Sequence, residues 1–137
     1  MKAKEWMTQN PLTLTEDEVV KTAVTLVLRN RIRHLPVLQD DRLVGIVSDR
    51  DLKRALPSVV AGSSPEEYQN FMSSTKLKEV MTADPVTCTP DTDVKDVVRQ
   101  FVENKIGAIP VVDEGRVVGI LTQTDAMRAF LEFLERS

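Results

Sequence analysis

Two short segments of this chain place a hydroxyl residue three positions before a carboxylate: Ser48-Asp49-Arg50-Asp51 and Thr122-Gln123-Thr124-Asp125. Each follows an apolar run opened by a glycine, Gly45-Ile46-Val47 and Gly119-Ile120-Leu121. A strand that gives way to a helix here leaves the first helical N–H groups unpaired, a ready seat for an anion. An Asp at such a helix start can also present its oxygens to neighbouring hydroxyls, as carboxylates do with ribose. The same spacing has a plainer use, because a Ser or Thr cap with an acid three residues on forms a capping box without any ligand. Spacing alone leaves both uses open.

Other reactive side chains are few. Arg29, Arg31, Arg33, His34 and Arg50 crowd the first half of the chain, and guanidinium groups suit phosphate oxygens. His34 has no nucleophile at recognisable spacing, so a catalytic role is not supported. No P-loop is present for nucleotide hydrolysis. One His and one Cys are too few for a His/Cys zinc site. The lone Cys88 excludes an intramolecular disulfide and suits a reducing, cytoplasmic setting. Its alignment with Leu14 marks it as a small buried hydrophobe.

The elements that must position these residues come from an internal repeat. Residues 7–56 match residues 81–130 at a constant offset of 74 without a gap. Met7-Thr8 matches Met81-Thr82, Pro11-Leu12-Thr13 matches Pro85-Val86-Thr87, Leu35-Pro36-Val37 matches Ile109-Pro110-Val111, and Leu43-Val44-Gly45-Ile46 matches Val117-Val118-Gly119-Ile120. Such a period fixes the architecture before any local reading. It predicts an α+β fold in which each copy reads strand, helix, strand, strand, helix. The boundaries are 1–56 for the first repeat, 57–78 for a linker with a short helix, and 79–137 for the second repeat.

Within each copy, Thr15 with Glu18, and Thr89 with Pro90 in the next position, predict helix starts. The first helix is expected to bury Val19, Val20, Ala23, Val24, Val27 and Leu28. The matching helix is expected to bury Val94, Val97, Val98, Phe101 and Val102. Asp41 and Gly115 hold the turn position that favours positive φ. Pro36 and Pro110 predict an edge or interrupted strand. Ser64-Pro65-Glu66-Glu67 predicts a helix start inside the linker, running to about Phe71-Met72. Trp6, aligned with Val80, is expected to anchor the N-terminal segment.

Length and charge set limits. Each 50-residue copy is near the lower size for a single core, so the halves should lean on each other or on a second chain. The net charge of −3 argues against a nucleic-acid partner. It is uneven: residues 1–56 carry +2 and residues 57–137 carry −5. No apolar run approaches the ~20 residues of a membrane span.

The series Met-Thr-x-Asn/Asp-Pro-h-Thr, then h-Pro-Val, then Gly-h-h-Ser/Thr-x-x-Asp, where h is apolar, occurs twice in the same order. It resembles a pair of CBS domains, named after cystathionine β-synthase, the tandem often called a Bateman module. The resemblance covers roughly residues 5–56 and 79–134, and is greatest to small stand-alone bacterial CBS pairs and the CBS part of acetoin-utilisation-type proteins. It implies two βαββα repeats about a pseudo-twofold axis, with small sheets packed against helices. It also implies a non-catalytic sensor that binds AMP, ADP, ATP or S-adenosylmethionine in clefts between the repeats and passes occupancy to a regulated protein, with no cofactor required and no metal. A homodimer with four repeats in a flat disc is implied as well.

Carried over by position, Asp51 and Asp125 would hold ribose hydroxyls, while Ser48 and Thr122 would face phosphate or ribose. Adenine would lie against Thr13-Leu14 and Thr87-Cys88, near the backbone before Pro36 and Pro110. The copies differ around these positions: Arg33 and His34 become Gly107 and Ala108, and Arg50 becomes Thr124. The Asp51 site, flanked by Arg33, His34 and Arg50, is therefore expected to take a phosphorylated ligand more tightly, and the Gly107-Ala108 side to have more room and less charge. A structural dimerisation module with vestigial sites is the alternative, and a nucleic-acid or metal-binding regulator with Arg29, Arg31 and Arg33 as a basic patch a more distant one.

Overall fold

A computed structural model describes residues 1–57 and 62–137. The linker positions Ser58, Val59, Val60 and Ala61 lie outside the described residues. In chain order the elements are α1 (Ala3–Trp6), β1 (Thr8–Gln9), β2 (Leu14–Thr15), α2 (Val20–Asn30), β3 (His34–Gln39), β4 (Arg42–Ser48) and α3 (Asp49–Ala55). Then follow α4 (Pro65–Ser74), a 3-10 turn (Leu77–Glu79), β5 (Thr82–Ala83), α5 (Val94–Asn104), β6 (Ala108–Asp113), β7 (Arg116–Thr122) and α6 (Gln123–Arg136). The α+β class and the repeated order stand as the sequence predicts.

The hairpins β3–β4 and β6–β7 form where alternating apolar runs flank tight turns. Asp40 and Asp41 take φ of 50° and 65°, and Glu114 and Gly115 take 52° and 81°. Two consecutive positive φ values match the right-handed twist of the flanking strands. Pro36 and Pro110 are buried and sit one step before a register shift, between Val37 and Leu38 and between Val111 and Val112. Their missing N–H falls where parallel pairing begins, so no ladder bond is lost: Cys88 N–H donates to the Pro110 carbonyl, and the next donor on that edge is Val112.

The chain forms two compact units that do not coincide with the sequence copies. Unit 1 is Met1–Pro11 with Pro85–Ser137, and unit 2 is Leu12–Asp84. The lead-in of each copy joins the sheet of the other. In unit 1, β1 pairs antiparallel with β7, Thr8 opposite Ile120. In unit 2, β5 pairs with β4 in the same register, Thr82 opposite Ile46. The sheets run β2-β3-β4-β5 in unit 2 and β1-β7-β6 in unit 1, where a single parallel bridge from Cys88 to Val111 replaces β2. The close crossing explains Gly45 and Gly119. A Cβ at Gly45 would collide with the Met81 thioether and press on the Thr82 carbonyl oxygen at 3.0 Å, and at Gly119 with Met7 and the Thr8 oxygen at the same distance.

The exchange also moves the helix starts. Neither Thr15 nor Thr89 caps a helix; α2 begins at Val20 after Val19, and α5 at Val94 with Asp93 as its cap. Backbone carbonyls that a helix from residue 16 or 90 would use internally accept bonds from the lead-in instead. Glu16 and Glu18 take Lys78 and Leu77 N–H, and Pro90 and Thr92 take Lys4 and Ala3 N–H. Val20 and Val94 N–H then donate to Thr75 and Met1 carbonyls. Leu28 and Val102, expected on the buried stripe, are 74% and 72% exposed.

The core of unit 2 gathers Leu14, Val20, Leu35, Val37, Val47 and Leu52 with Met72 and Leu77 from the other side of the chain's midpoint. The expected helix within 57–78 is α4, capped by Ser64, whose side chain accepts Glu67 N–H at 3.1 Å. It packs on α2 and brings Tyr68, Phe71 and Met72 to the core. Unit 1 has a smaller core of Ala3, Val97, Phe101, Ile109, Val111 and Leu121, with Trp6 packed beside it as an anchor. Its last helix, α6, turns Asp125 and Ala129 inward while Met127, Phe130, Leu131 and Leu134 are each at least half exposed.

Candidate functional site

The two hydroxyl–carboxylate segments sit at strand-to-helix junctions, as their glycine-led strands require. Ser48 ends β4 and caps α3: its hydroxyl accepts Asp51 N–H at 3.0 Å, and its own N–H donates to Asp51 Oδ2 at 2.9 Å. Thr122 ends β7 and caps α6 the same way, with its N–H 2.9 Å and its hydroxyl 3.1 Å from Asp125 Oδ2. Capping is therefore real in both places. It engages only Oδ2; Oδ1 of Asp51 makes no hydrogen bond among the described residues, whereas Oδ1 of Asp125 takes the Arg128 guanidinium. Neither acid points into bulk solvent: Asp51 is half-buried and Asp125 is 3% exposed.

In unit 2 strand pairing brings some of the expected positions side by side. The register places His34 opposite Ser48, so the imidazole lies on the strand edge beside the cap. Arg33 contributes its carbonyl, which accepts Asp49 N–H at 2.9 Å and ties the start of β3 to the start of α3. Arg33 and Arg50 are exposed and, among the described residues, neither makes an ion pair. Burial of His34 lowers its pKa from the ordinary value; the nearby carboxylates of Asp49 and Asp51 oppose that shift, and Arg33 adds to it. Burial thus disfavours the charged ring, and the two acids beside it favour it. Leu14 on β2 is buried opposite Val37, Thr13 precedes it half-buried, and Pro36 is buried.

Unit 1 repeats the frame with less charge. Ala108 is buried opposite Thr122, and the Gly107 carbonyl accepts Gln123 N–H at 3.4 Å. Pro110 is buried. Thr87 and Cys88 line a groove of about 120 Å³ with Val86, Thr92, Asp96, Val97, Gln100 and Ile109. Burial pushes the Cys88 thiol up to about 11, away from the reactive thiolate; it packs beside the core but is half-buried on the groove wall, where the aligned Leu14 is buried. Two residues were not singled out from the sequence. Asp49 faces His34, and Arg128 ion-pairs with Asp125 through Nη2 and Oδ1. The signal for Arg128 was its i,i+3 spacing from Asp125 on one helix. Among the described residues no group of three or more His, Cys, Asp or Glu could hold a metal ion, and no helix is long and apolar enough to cross a membrane.

The family model described as "CBS domain" matches this chain twice, over residues 3–58 and 77–132. Among solved structures, an acetoin utilization protein (AcuB) from Vibrio cholerae is 32% identical, with 98% of this chain and 93% of that one covered and a TM-score of 0.78. CBSX2 in complex with AMP is 31% identical, with 96% and 97% covered and a TM-score of 0.80. The CBS domain pair of protein MJ0100, in complex with 5′-methylthioadenosine and S-adenosyl-L-methionine, is 27% identical, with 96% and 97% covered and a TM-score of 0.79. Two Methanocaldococcus jannaschii proteins are 30% and 31% identical, and this chain spans only 41% and 45% of their lengths.

Proposed function

The chain belongs to the CBS domain family, and from that premise we propose that it is a non-catalytic regulatory module binding an adenosine-containing ligand. The observation that supports this reading is the pair of carboxylates at matching helix entrances, held there by the same capping bonds, with Asp51 keeping one oxygen outside them. Vicinal ribose hydroxyls are natural donors to a carboxylate oxygen. Thr13-Leu14 and Thr87-Cys88 would receive the base. AMP, bound by CBSX2, and S-adenosylmethionine, bound by the MJ0100 pair, bracket the chemistry. Arg33 and Arg50, with His34 beside them, favour a phosphorylated ligand on the Asp51 side, because guanidinium groups that make no ion pair among the described residues suit phosphate oxygens. We place the module in the cytoplasm and give it a regulated protein as target. Its effect on that protein is bounded by how strongly the ligand distinguishes two states.

A homodimer fits the same reading. The outward stripe of Met127, Phe130, Leu131 and Leu134 on α6 is apolar where a surface helix is ordinarily polar. A second reading, a structural dimerisation module with unused sites, is favoured by one observation: the Asp125 carboxylate is satisfied without any ligand. A thermal-shift panel of AMP, ADP, ATP, NADH and S-adenosylmethionine separates the two. A ligand at ~100 times its Kd adds ~2.7 kcal/mol to stability, so a clear rise in Tm with an adenine ligand is expected. No shift with any member of the panel favours the structural module.

A further inference from the structure

The two candidate sites carry the same arginine and use it differently. Arg54 and Arg128 occupy matching positions, three residues beyond Asp51 and Asp125. Arg128 Nη2 donates to Asp125 Oδ1, while Oδ2 takes the N–H and hydroxyl of Thr122. Both oxygens of Asp125 are therefore occupied. The Arg128 side chain is 61% exposed and that of Asp125 only 4%, so the guanidinium lies over the carboxylate on its solvent side. Among the described residues Arg54 makes no ion pair, and Asp51 is half-buried.

Helix length explains the difference. Helix α3 ends at Ala55 and Leu56 is already extended, so Arg54 sits in a final turn. Helix α6 continues to Arg136 and buries Ala129 immediately after Arg128. Arg128 is thereby held mid-helix, where an i,i+3 pair keeps its geometry.

A ribose diol must donate to the carboxylate, and at Asp125 the guanidinium already pairs with and covers the oxygen that the other bonds leave free. We infer that Arg128 is a closing residue of the Asp125 site, one that sets the order of filling: the Asp51 site first, the Asp125 site only after the guanidinium swings away. The inference rests on the adenosine-ligand reading of the two carboxylates. It assigns the weaker site to a specific side chain rather than to the Gly107-Ala108 surroundings alone. Because the bond broken is charge-assisted but solvent-facing, its removal should tighten the site by about tenfold, ~1.4 kcal/mol.

The test isolates the Asp125 site in an Asp51→Ala background and measures adenosine and 2′-deoxyadenosine by calorimetry, with and without Arg128→Met. Adenosine carries no phosphate, so any contact between Arg128 and phosphate does not enter the measurement. Arg128→Met keeps the apolar stem, and Arg128→Gln serves as a second variant should the first unfold. Adenosine is expected to bind about tenfold more tightly without the arginine, and 2′-deoxyadenosine, which lacks the diol, to change by less than about twofold. Unchanged or weaker adenosine binding overturns the inference, as does an equal gain for both nucleosides. If the unaltered protein binds AMP and Arg128→Met has no effect on adenosine, only this inference fails. If no variant binds adenosine or AMP, the adenosine reading falls with it.

Discussion

Units 1 and 2 share one frame and differ in what has been added to it. The buried position at the start of each lead-in is Ala3 in unit 1 and Leu77 in unit 2, both fully buried. Unit 2 also carries α4, which brings Met72 into its core, whereas Asp96 and Gln100 of unit 1 line an open groove where α2 has Thr22 and Leu26. At the two helix entrances the direction reverses. Unit 2 has Arg33, His34 and Arg50 beside its entrance in sequence and, among the described residues, no ion pair on Asp51, while unit 1 has Gly107, Ala108 and Thr124 at the matching positions and pairs Asp125 with Arg128. Duplication has kept the hairpin and crossing geometry, with the strand register and the crossing glycines Gly45 and Gly119 the same to the residue. Divergence sits in side chains that cover or approach the sites.

The largest effect expected from that comparison is in the core. Leu77→Ala makes unit 2 resemble unit 1 at its lead-in and should cost ~2–5 kcal/mol, as other large-to-small core changes do. Chemical denaturation followed by fluorescence of Trp6, which lies in unit 1, against circular dichroism of the whole chain would show whether the loss stays within unit 2. A loss below ~1 kcal/mol would mean that Leu77 is not the keystone of that crossing.

Next come Gly45→Ala and Gly119→Ala. Each Cβ meets a methionine side chain that can move and a carbonyl oxygen that moves less easily. Overpacking of this kind costs ~1–3 kcal/mol, and the two substitutions should cost the same within error, since their surroundings match. A large inequality in their denaturation midpoints would show that the crossings are less alike than their geometry.

The smallest effect concerns His34, which unit 1 lacks. Its folded pKa lies below the ordinary 6.5, so above neutral pH it is largely uncharged in both folded and unfolded chains and contributes little. As pH falls through 6.5 the unfolded chain takes up the proton first, and stability declines until the folded pKa is reached. His34→Gln should flatten the stability profile on that acidic side and leave it unaltered above pH 7. A profile identical to that of the unaltered protein would place the imidazole in open solvent.

Much of this was legible in the residues. The hairpins, their positive-φ turns, the Ser48 and Thr122 caps and the Ser64 helix start all depend on contacts within a few positions, which local chemistry dictates. The exchange of lead-ins was not legible, because a pattern repeated at one offset is the same whether Thr8 pairs with its own copy or with the other. The late starts of α2 and α5 follow from that exchange, since the partners of the Glu18 and Thr92 carbonyls lie far along the chain. Periodicity marked Leu28 and Val102 as apolar but could not say what covers them. Arg128 was hidden because Arg54, its counterpart, has the same spacing and makes no ion pair among the described residues.

Calorimetric titration of AMP into the unaltered chain, Asp51→Ala and Asp125→Ala bears most directly on the central claim. Loss of the tighter binding in Asp51→Ala, with that binding retained in Asp125→Ala, is the predicted result. Undiminished affinity in Asp51→Ala together with abolished binding in Asp125→Ala would contradict it.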